Sequence, residues 1–225
     1  MRVHPLEFTT ESVRAILAGV KTQTRRNAVS EKGRASTLAT LKPGDKIYLR
    51  EAIRWHPGNP PAVYDAAPLG VERETVDMSR APAGWTPRGE KTASRYAPKW
   101  SNRLVLTLRD VRIERVRDIS ETDAVAEGMV TAMFVNGWTH ESTPQNESDY
   151  FAPYGLFERS GQLPWRHAPV NLRRGTAARS YAALWDEMHR AEGRRFQDGP
   201  DVVVLDFAGG IERACVLDLI EDGEG

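Results

Sequence analysis

The residues best placed to do chemistry lie between Gly19 and Arg26, where Lys21, Thr22, Thr24, Arg25 and Arg26 supply an amine, two hydroxyls and two guanidinium groups. A lysine crowded by two arginines is pressed to release its proton and act as a base or nucleophile. A threonine beside it can then be activated, and the arginines can bind a phosphate or a developing oxyanion. On spacing alone the same segment also reads as a solvated basic strand. A second candidate is the pair Arg50 and Glu51. Glu51 is flanked in period two by Leu49 and Ile53, so it points inward and needs a partner. Arg25, Arg26 or Arg103 can provide one as a structural ion pair, and a substrate contact is the competing role. Arg50 then faces outward with Tyr48. Among the aromatic residues, Trp55, Tyr64, Trp85 and Trp100 are candidates to stack on bases or to fill the core. Trp100, between Lys99 and Arg103, is the best placed for stacking.

Other chemistries find little support. His4, His56, His140, His167 and His189 are scattered, with no ligand-like pair and no HExxH, so no metal is expected. Neither a phosphate-binding loop nor a GxGxxG fingerprint occurs, and no nucleotide cofactor is expected. There is no GxSxG elbow, and the single cysteine, Cys215, reads as a small core residue and excludes an intrachain disulfide. The 225 residues are 40% hydrophobic and 28% charged, which suits a globular protein with an ample core. Basic and acidic residues number 31 each, so affinity for nucleic acid requires a local patch and not net charge. No apolar run is long enough to span a bilayer and no signal-peptide pattern opens the chain, so the expected location is the cytosol and no membrane partner is expected.

The elements that must position these residues follow from periodicity. Thr9 and Thr10 offer helix-capping chemistry, and Val13, Ile16 and Leu17 recur at helical spacing, predicting a helix over about 10–18 that Gly19 ends. A strand or turn follows at 21–26, then a soft loop to residue 40. Lys42-Pro43-Gly44-Asp45 is a turn, and Ile47, Leu49, Glu51 and Ile53 mark a strand. Residues 56–99 read as short strands and loops. Leu104, Leu106 and Leu108, then Val111, Ile113 and Val116, predict a long strand kinked near Asp110, where the alternation changes phase. Ser120 begins a short helix that Gly128 ends. Residues 130–176 read as an irregular insertion, functional lid or connector, in which Arg159, Arg166, Arg173 and Arg174, with Arg179 beyond it, outnumber the local acids and suggest a basic rim. A helix over about 177–190 places Tyr181, Leu184, Trp185 and Met188 on one face. A buried strand spans 202–207, and an acidic tail closes the chain. Helices are too few to alternate with parallel strands, so the class is α+β with a mostly antiparallel or mixed barrel.

Four segments together resemble ASCH-domain proteins of the PUA-like superfamily: Gly19-x-Lys21-Thr22-x-Thr24-x-Arg26; Gly44-Asp45-x-Ile47-x-Leu49-Arg50-Glu51; Trp100-x-Asn102-Arg103; and the run from Asp118-Ile119-Ser120-Glu121 through Asp123-Ala124 to Ala126-Glu127-Gly128. Leu184-Trp185-Asp186 and Val202-Val203-Val204-Leu205-Asp206-Phe207 fit the same group, and the form is similar to those encoded in phages and prophages. The resemblance covers most of the chain outside about 28–40, 56–95 and 130–176. It implies one domain over 1–210, a small mixed β-barrel with flanking helices interrupted by the insertion, with 211–225 as a tail. It also implies a cleft suited to a nucleoside, RNA or another single-stranded nucleic acid.

One branch of that family hydrolyses the acyl amide on the exocyclic amine of cytidine, without metal or other cofactor, through a lysine, a threonine and a glutamate. Matched by motif, these are Lys21, Thr24 and Glu127 here. Lys21 would be the general base, Thr24 the nucleophile, and Glu127 the group that positions or protonates the leaving amine, with Arg25, Arg26, Arg50, Glu51, Trp100 and Arg103 binding substrate. Two rivals use the same residues: a module that binds RNA or a modified base without turnover, and a metal-independent ribonuclease, which no histidine pair supports. The hydrolase reading makes a geometric demand. Lys21 and Thr24 are three positions apart, so in an ideal strand they face opposite ways. A turn after Gly19 or a bulge near Thr22 must bring them to one side.

Overall fold

Ile47, Tyr48 and Leu49 are all buried on strand β3 (Lys46–Arg50), so both faces of this strand are covered. In the computed structural model, which describes residues 1–30, 33–55, 62–66, 74–86, 89–131, 151–153 and 175–217, β3 lies inside a four-stranded sheet. β1 (Val3–Glu7) runs parallel to β3 at its edge, where Pro5 is tolerated, because an edge strand can forgo one ladder donor. The turn at 42–45 forms as the sequence predicts, with Asp45 N donating to Lys42 O at 3.0 Å and Gly44 at φ 88°. Helix α1 (Thr10–Leu17) follows β1, opened by Thr9 Oγ1 accepting from Ser12 N at 3.2 Å, and it buries Val13 and Ile16.

The contacts divide the chain into two compact units. The first comprises Met1–Leu17, Lys42–Arg109 and Phe207–Gly225. Its main sheet has the order β1, β3, β7 (Leu104–Thr107), β12 (Ile211–Arg213). A smaller antiparallel sheet joins β4 (Ile53–Arg54) to β5 (Val63–Tyr64) on one side and β6 (Lys91–Thr92) on the other. The apolar side chains of Ile53, Tyr64, Val76 and Trp100 pack together beside this small sheet. Residues 211–213, which the sequence assigns to the tail, are a paired strand, and Val216 is buried against Tyr48 and Val105.

The second unit comprises Ala18–Leu41 and Asp110–Asp206. An antiparallel sheet of order β2 (Gln23–Asn27), β11 (Asp201–Asp206), β8 (Asp110–Arg115) forms its frame. Helices α2 (Glu121–Ala126) and α3 (Ala177–Met188) share an apolar cluster with that sheet through Ala124, Tyr181, Trp185, Val202 and Val204. β9 (Met129–Thr131) and β10 (Phe151–Pro153) form an antiparallel ribbon beside α3.

Two further expectations change. The strand expected across 104–116 is two strands in different sheets, and the phase change near Asp110 is where the chain leaves one sheet for the other. In the predicted face of α3, Tyr181 and Trp185 are buried and Leu184 packs against them, but Met188 is 55% exposed at the last turn. Sheets dominate this mixed α+β architecture, and no closed barrel is found among the described residues. Most of the predicted insertion, 132–150 and 154–174, with Arg159, Arg166, Arg173 and Arg174, lies outside the described residues.

Candidate functional site

Three local features bring Lys21 to Glu127 across 106 positions of sequence. Gly19 takes φ 71° just beyond α1 and turns the chain there, although Thr24 still falls on the sheet face opposite Gln23 and Arg25. Lys21 and Thr22 then precede the first ladder residue of β2, and Thr22 N donates to Ala126 O at 2.8 Å, stitching this stretch to the last turn of α2. Helix α2 begins at Ser120, whose hydroxyl accepts from Asp123 N at 3.0 Å, and ends at Glu127, followed by Gly128 at φ 99°. Only glycine adopts that backbone without strain, so Gly128 fixes where the helix stops and which way Glu127 leaves it.

Lys21 Nζ donates to Glu127 Oε2 at 2.6 Å and to the Glu127 carbonyl at 2.9 Å. Both side chains are buried, 5% and 4% exposed. The other carboxylate oxygen, Oε1, accepts from Arg25 Nη1 at 3.3 Å. The Arg25 side chain has no exposed surface. Its guanidinium also donates to Gln23 Oε1 at 2.6 Å and, through Nε and Nη2, to Glu114 Oε1 at 3.0 and 2.5 Å, with Asp123 Oδ2 at 3.2 Å. Burial works against the Arg25 charge, but the Glu127 carboxylate, Tyr181 and Glu114 outweigh it and hold the guanidinium protonated more firmly than usual. The Tyr181 ring lies 5.8 Å from the guanidinium carbon. Farther out, Arg112 bonds Asp110, Glu114 and Asp123. Burial pushes the Asp123 carboxyl up, but the Gln23 amide, Arg25 and Arg112 bring it below the ordinary carboxylate range.

Strand register explains this grouping. Arg25 stands opposite Val204, which stands opposite Arg112, so Gln23, Arg25, Arg112 and Glu114 share the sheet face that meets α2 and α3. Thr24 stands opposite Leu205 and Val111, and Arg26 opposite Val203 and Ile113, on the other face. Thr24 is fully buried there, and its hydroxyl accepts from Arg26 Nη1 at 2.8 Å. The structure therefore joins Lys21, Arg25 and Glu127 directly, and places Thr24 with Arg26.

The remaining candidates belong to the first unit. Glu51 is buried and forms a two-pronged ion pair with Arg103, Nε to Oε1 at 3.0 Å and Nη2 to Oε2 at 2.9 Å, which is the structural pairing that the sequence allows for. Burial pushes the Glu51 carboxyl up, with Arg103 opposing. Arg103 also bonds Glu74 and Ala66 O, and its guanidinium carbon lies 4.2 Å from the Tyr64 ring centroid. Arg50 donates to Ala97 O at 3.1 Å and to Arg95 O, pinning the backbone there. Trp100, expected to offer a stacking surface, is 7% exposed and meets Trp85 edge-on at 4.9 Å within an apolar cluster. Tyr64 is likewise internal, its hydroxyl donating to Ser101 O at 2.8 Å.

Sequence reasoning missed Gln23, Glu114, Arg112 and Tyr181. The signal for two of them was present: Arg112 and Glu114 alternate with Val111 and Ile113, which marks a strand with one charged face. No group of three or more histidine, cysteine, aspartate or glutamate side chains is placed to hold a metal ion among the described residues. No helix among them is long and apolar enough to cross a membrane. No family model, curated protein or solved structure matches the chain.

Proposed function

We propose that this chain is an amidohydrolase of the PUA-like, ASCH type, with a barrel core, that removes the acyl group from the exocyclic amine of an acylated cytosine base or nucleoside without a metal. The observation that carries the reading is the buried 2.6 Å contact between Lys21 Nζ and Glu127 Oε2, an amine and a carboxylate brought together from distant parts of the chain beside the threonine-bearing strand. A proton can pass directly between groups at this distance.

The reaction balances through these groups. A proton first passes from the Lys21 ammonium to the Glu127 carboxylate across their hydrogen bond, giving a neutral amine and a carboxylic acid. Lys21 then takes the Thr24 hydroxyl proton as Oγ1 bonds to the acyl carbon, and the C–N bond breaks as the leaving amine receives the proton from Glu127, which returns the ion pair. A water then cleaves the Thr24 ester, releasing the carboxylic acid and the free hydroxyl. The attack requires more than a new hydrogen bond: Thr24, buried on the sheet face opposite Gln23 and Arg25, must leave its bond from Arg26 and reach the Lys21 side through a local rearrangement at the start of β2. Arg26 then remains near the acyl oxygen as it gains charge.

A second reading, a module that binds a modified base or RNA without turnover, is favoured by the placement of Thr24 on the sheet face opposite Gln23 and Arg25. One experiment separates the two. Purified protein is incubated with acylated cytidine and deacylation is followed by chromatography, with Lys21→Ala as control. Turnover that the variant loses supports the hydrolase. No turnover, together with salt-sensitive RNA binding, supports the module. Cleavage of single-stranded RNA without metal would instead support ribonuclease action.

A further inference from the structure

Glu127 holds two cations of different character. Lys21 is a point charge on a flexible four-carbon stem, whereas Arg25 is a planar fork whose donors face acceptors on Gln23, Glu114, Asp123 and Glu127. The sequence reading gives Arg25 to substrate binding, but a side chain with no exposed surface and every one of these bonds directed inward has no means to touch a substrate. Its partners come from three elements: Gln23 from β2, Glu114 from β8, Asp123 from α2. Each is fixed by a strand ladder or by the capped helix, so the guanidinium is held from three sides.

We propose that Arg25 is a positioning residue: it clamps Glu127 Oε1 so that Oε2 stays aimed at Lys21. The proposal rests on the hydrolase reading for its kinetic consequence, but its structural core does not. Glu127 lies at the end of a short helix, just before a glycine, where a glutamate has several rotamers to choose from. Arg25 Nη1 on Oε1, set against Lys21 Nζ on Oε2, selects one. Gln23 has a part in this as well, since its amide oxygen accepts from Arg25 while its amide nitrogen donates to Asp123 Oδ1 at 3.1 Å, tying the clamp to α2.

The test uses the full chain and two readouts. The first is the Nζ proton signal of Lys21 in nitrogen-15 spectra, which exchanges slowly with water when the ammonium is buried and doubly bonded. The second is steady-state deacylation of acylated cytidine. In Arg25→Met, exchange at Lys21 accelerates at least tenfold, and kcat falls about 10- to 100-fold with KM within about twofold, since a small misplacement of a reacting group costs this much. Arg25→Lys, which keeps the charge and loses the fork, recovers only part of kcat. Should Arg25→Met fail to fold, Glu114→Gln keeps an acceptor while loosening the anchor, and the same two readouts apply to it. Unchanged Lys21 exchange in the loosened variants overturns the proposal, as does a rise in KM at constant kcat, which would make Arg25 a substrate contact. If the native protein turns over nothing while exchange still accelerates in the variant, the positioning role stands and the hydrolase reading alone falls.

Discussion

Replacing Glu127 by glutamine removes a carboxylate held between two cations, and the cost follows from the geometry. At an effective dielectric constant of about 20, Lys21 at 2.6 Å and Arg25 at 3.3 Å attract the carboxylate by about 6 and 5 kcal/mol before desolvation is counted. Desolvation of such buried ions offsets much of this, yet breaking a buried pair from one side costs about 3–5 kcal/mol, because the abandoned charge stays inside. Glu127→Gln takes the carboxylate from the buried Lys21 ammonium while Arg25 keeps Glu114 and Asp123, so its cost belongs within that range. Lys21→Met abandons a carboxylate that Arg25 still neutralises, so it should cost less, about 1–3 kcal/mol. In the double variant only the Arg25 cluster remains, and the coupling between the two positions should be about 1–3 kcal/mol. Urea unfolding of the four proteins measures each value, with constant m as the check that unfolding stays two-state. A cycle additive within about 0.5 kcal/mol, or Lys21→Met costing more than Glu127→Gln, would refute the account of the cluster.

Further outcomes follow from other parts of the structure. Asp65 binds Thr10 at 2.9 Å, Lys91 at 2.7 Å and Arg54, tying α1 to β4 and β6. Although burial pushes its carboxyl up, the Lys91, Arg54 and Thr10 hydrogen bonds win and lower it from the ordinary 3.8 to about 2. A carboxyl depressed on folding stabilises the fold fully above its unfolded value and loses that contribution as pH falls through about 2. After discounting for Arg54 and Lys91, 39% and 47% exposed, Asp65→Asn should cost about 1–2 kcal/mol at pH 7 and much less near pH 2, read by denaturant unfolding at both. Arg103→Met strands the buried Glu51 carboxylate and should cost about 3–5 kcal/mol, of which Glu51→Leu in the same chain should recover most in the same assay. Gly128→Ala forces a side chain into a backbone at φ 99°, with an expected loss of about 1–2 kcal/mol by thermal unfolding.

Local signals in the sequence were read well where the chemistry is local. Ser120 caps α2 and Gly128 ends it, Gly19 turns the chain, and the alternation around Leu49 makes Glu51 point inward, each because one residue type suits one backbone state. Glu51 could be expected to need a cation, but choosing Arg103 over Arg25 or Arg26 depends on pairing between distant segments. The split at Asp110 left a trace only as a phase change, since alternation reports the face of a strand and not the sheet to which it belongs. Arg25 and Arg26 are adjacent and look alike in sequence. Strand alternation sends one to the buried carboxylates and the other to Thr24, and which goes where is decided by the register of β2 on β11. Trp100 shows the opposite error: flanking cations suggest a stacking surface, but its large apolar ring is more stable inside the cluster with Trp85.

The most direct test of the proposed chemistry is mass spectrometry of the protein quenched during incubation with acylated cytidine. The account predicts a mass gain of one acyl group, placed by fragmentation on Thr24, and its disappearance in Thr24→Ala and Lys21→Ala. Turnover with no acylated enzyme, or the acyl group on Thr22 or Lys21 instead, would contradict it.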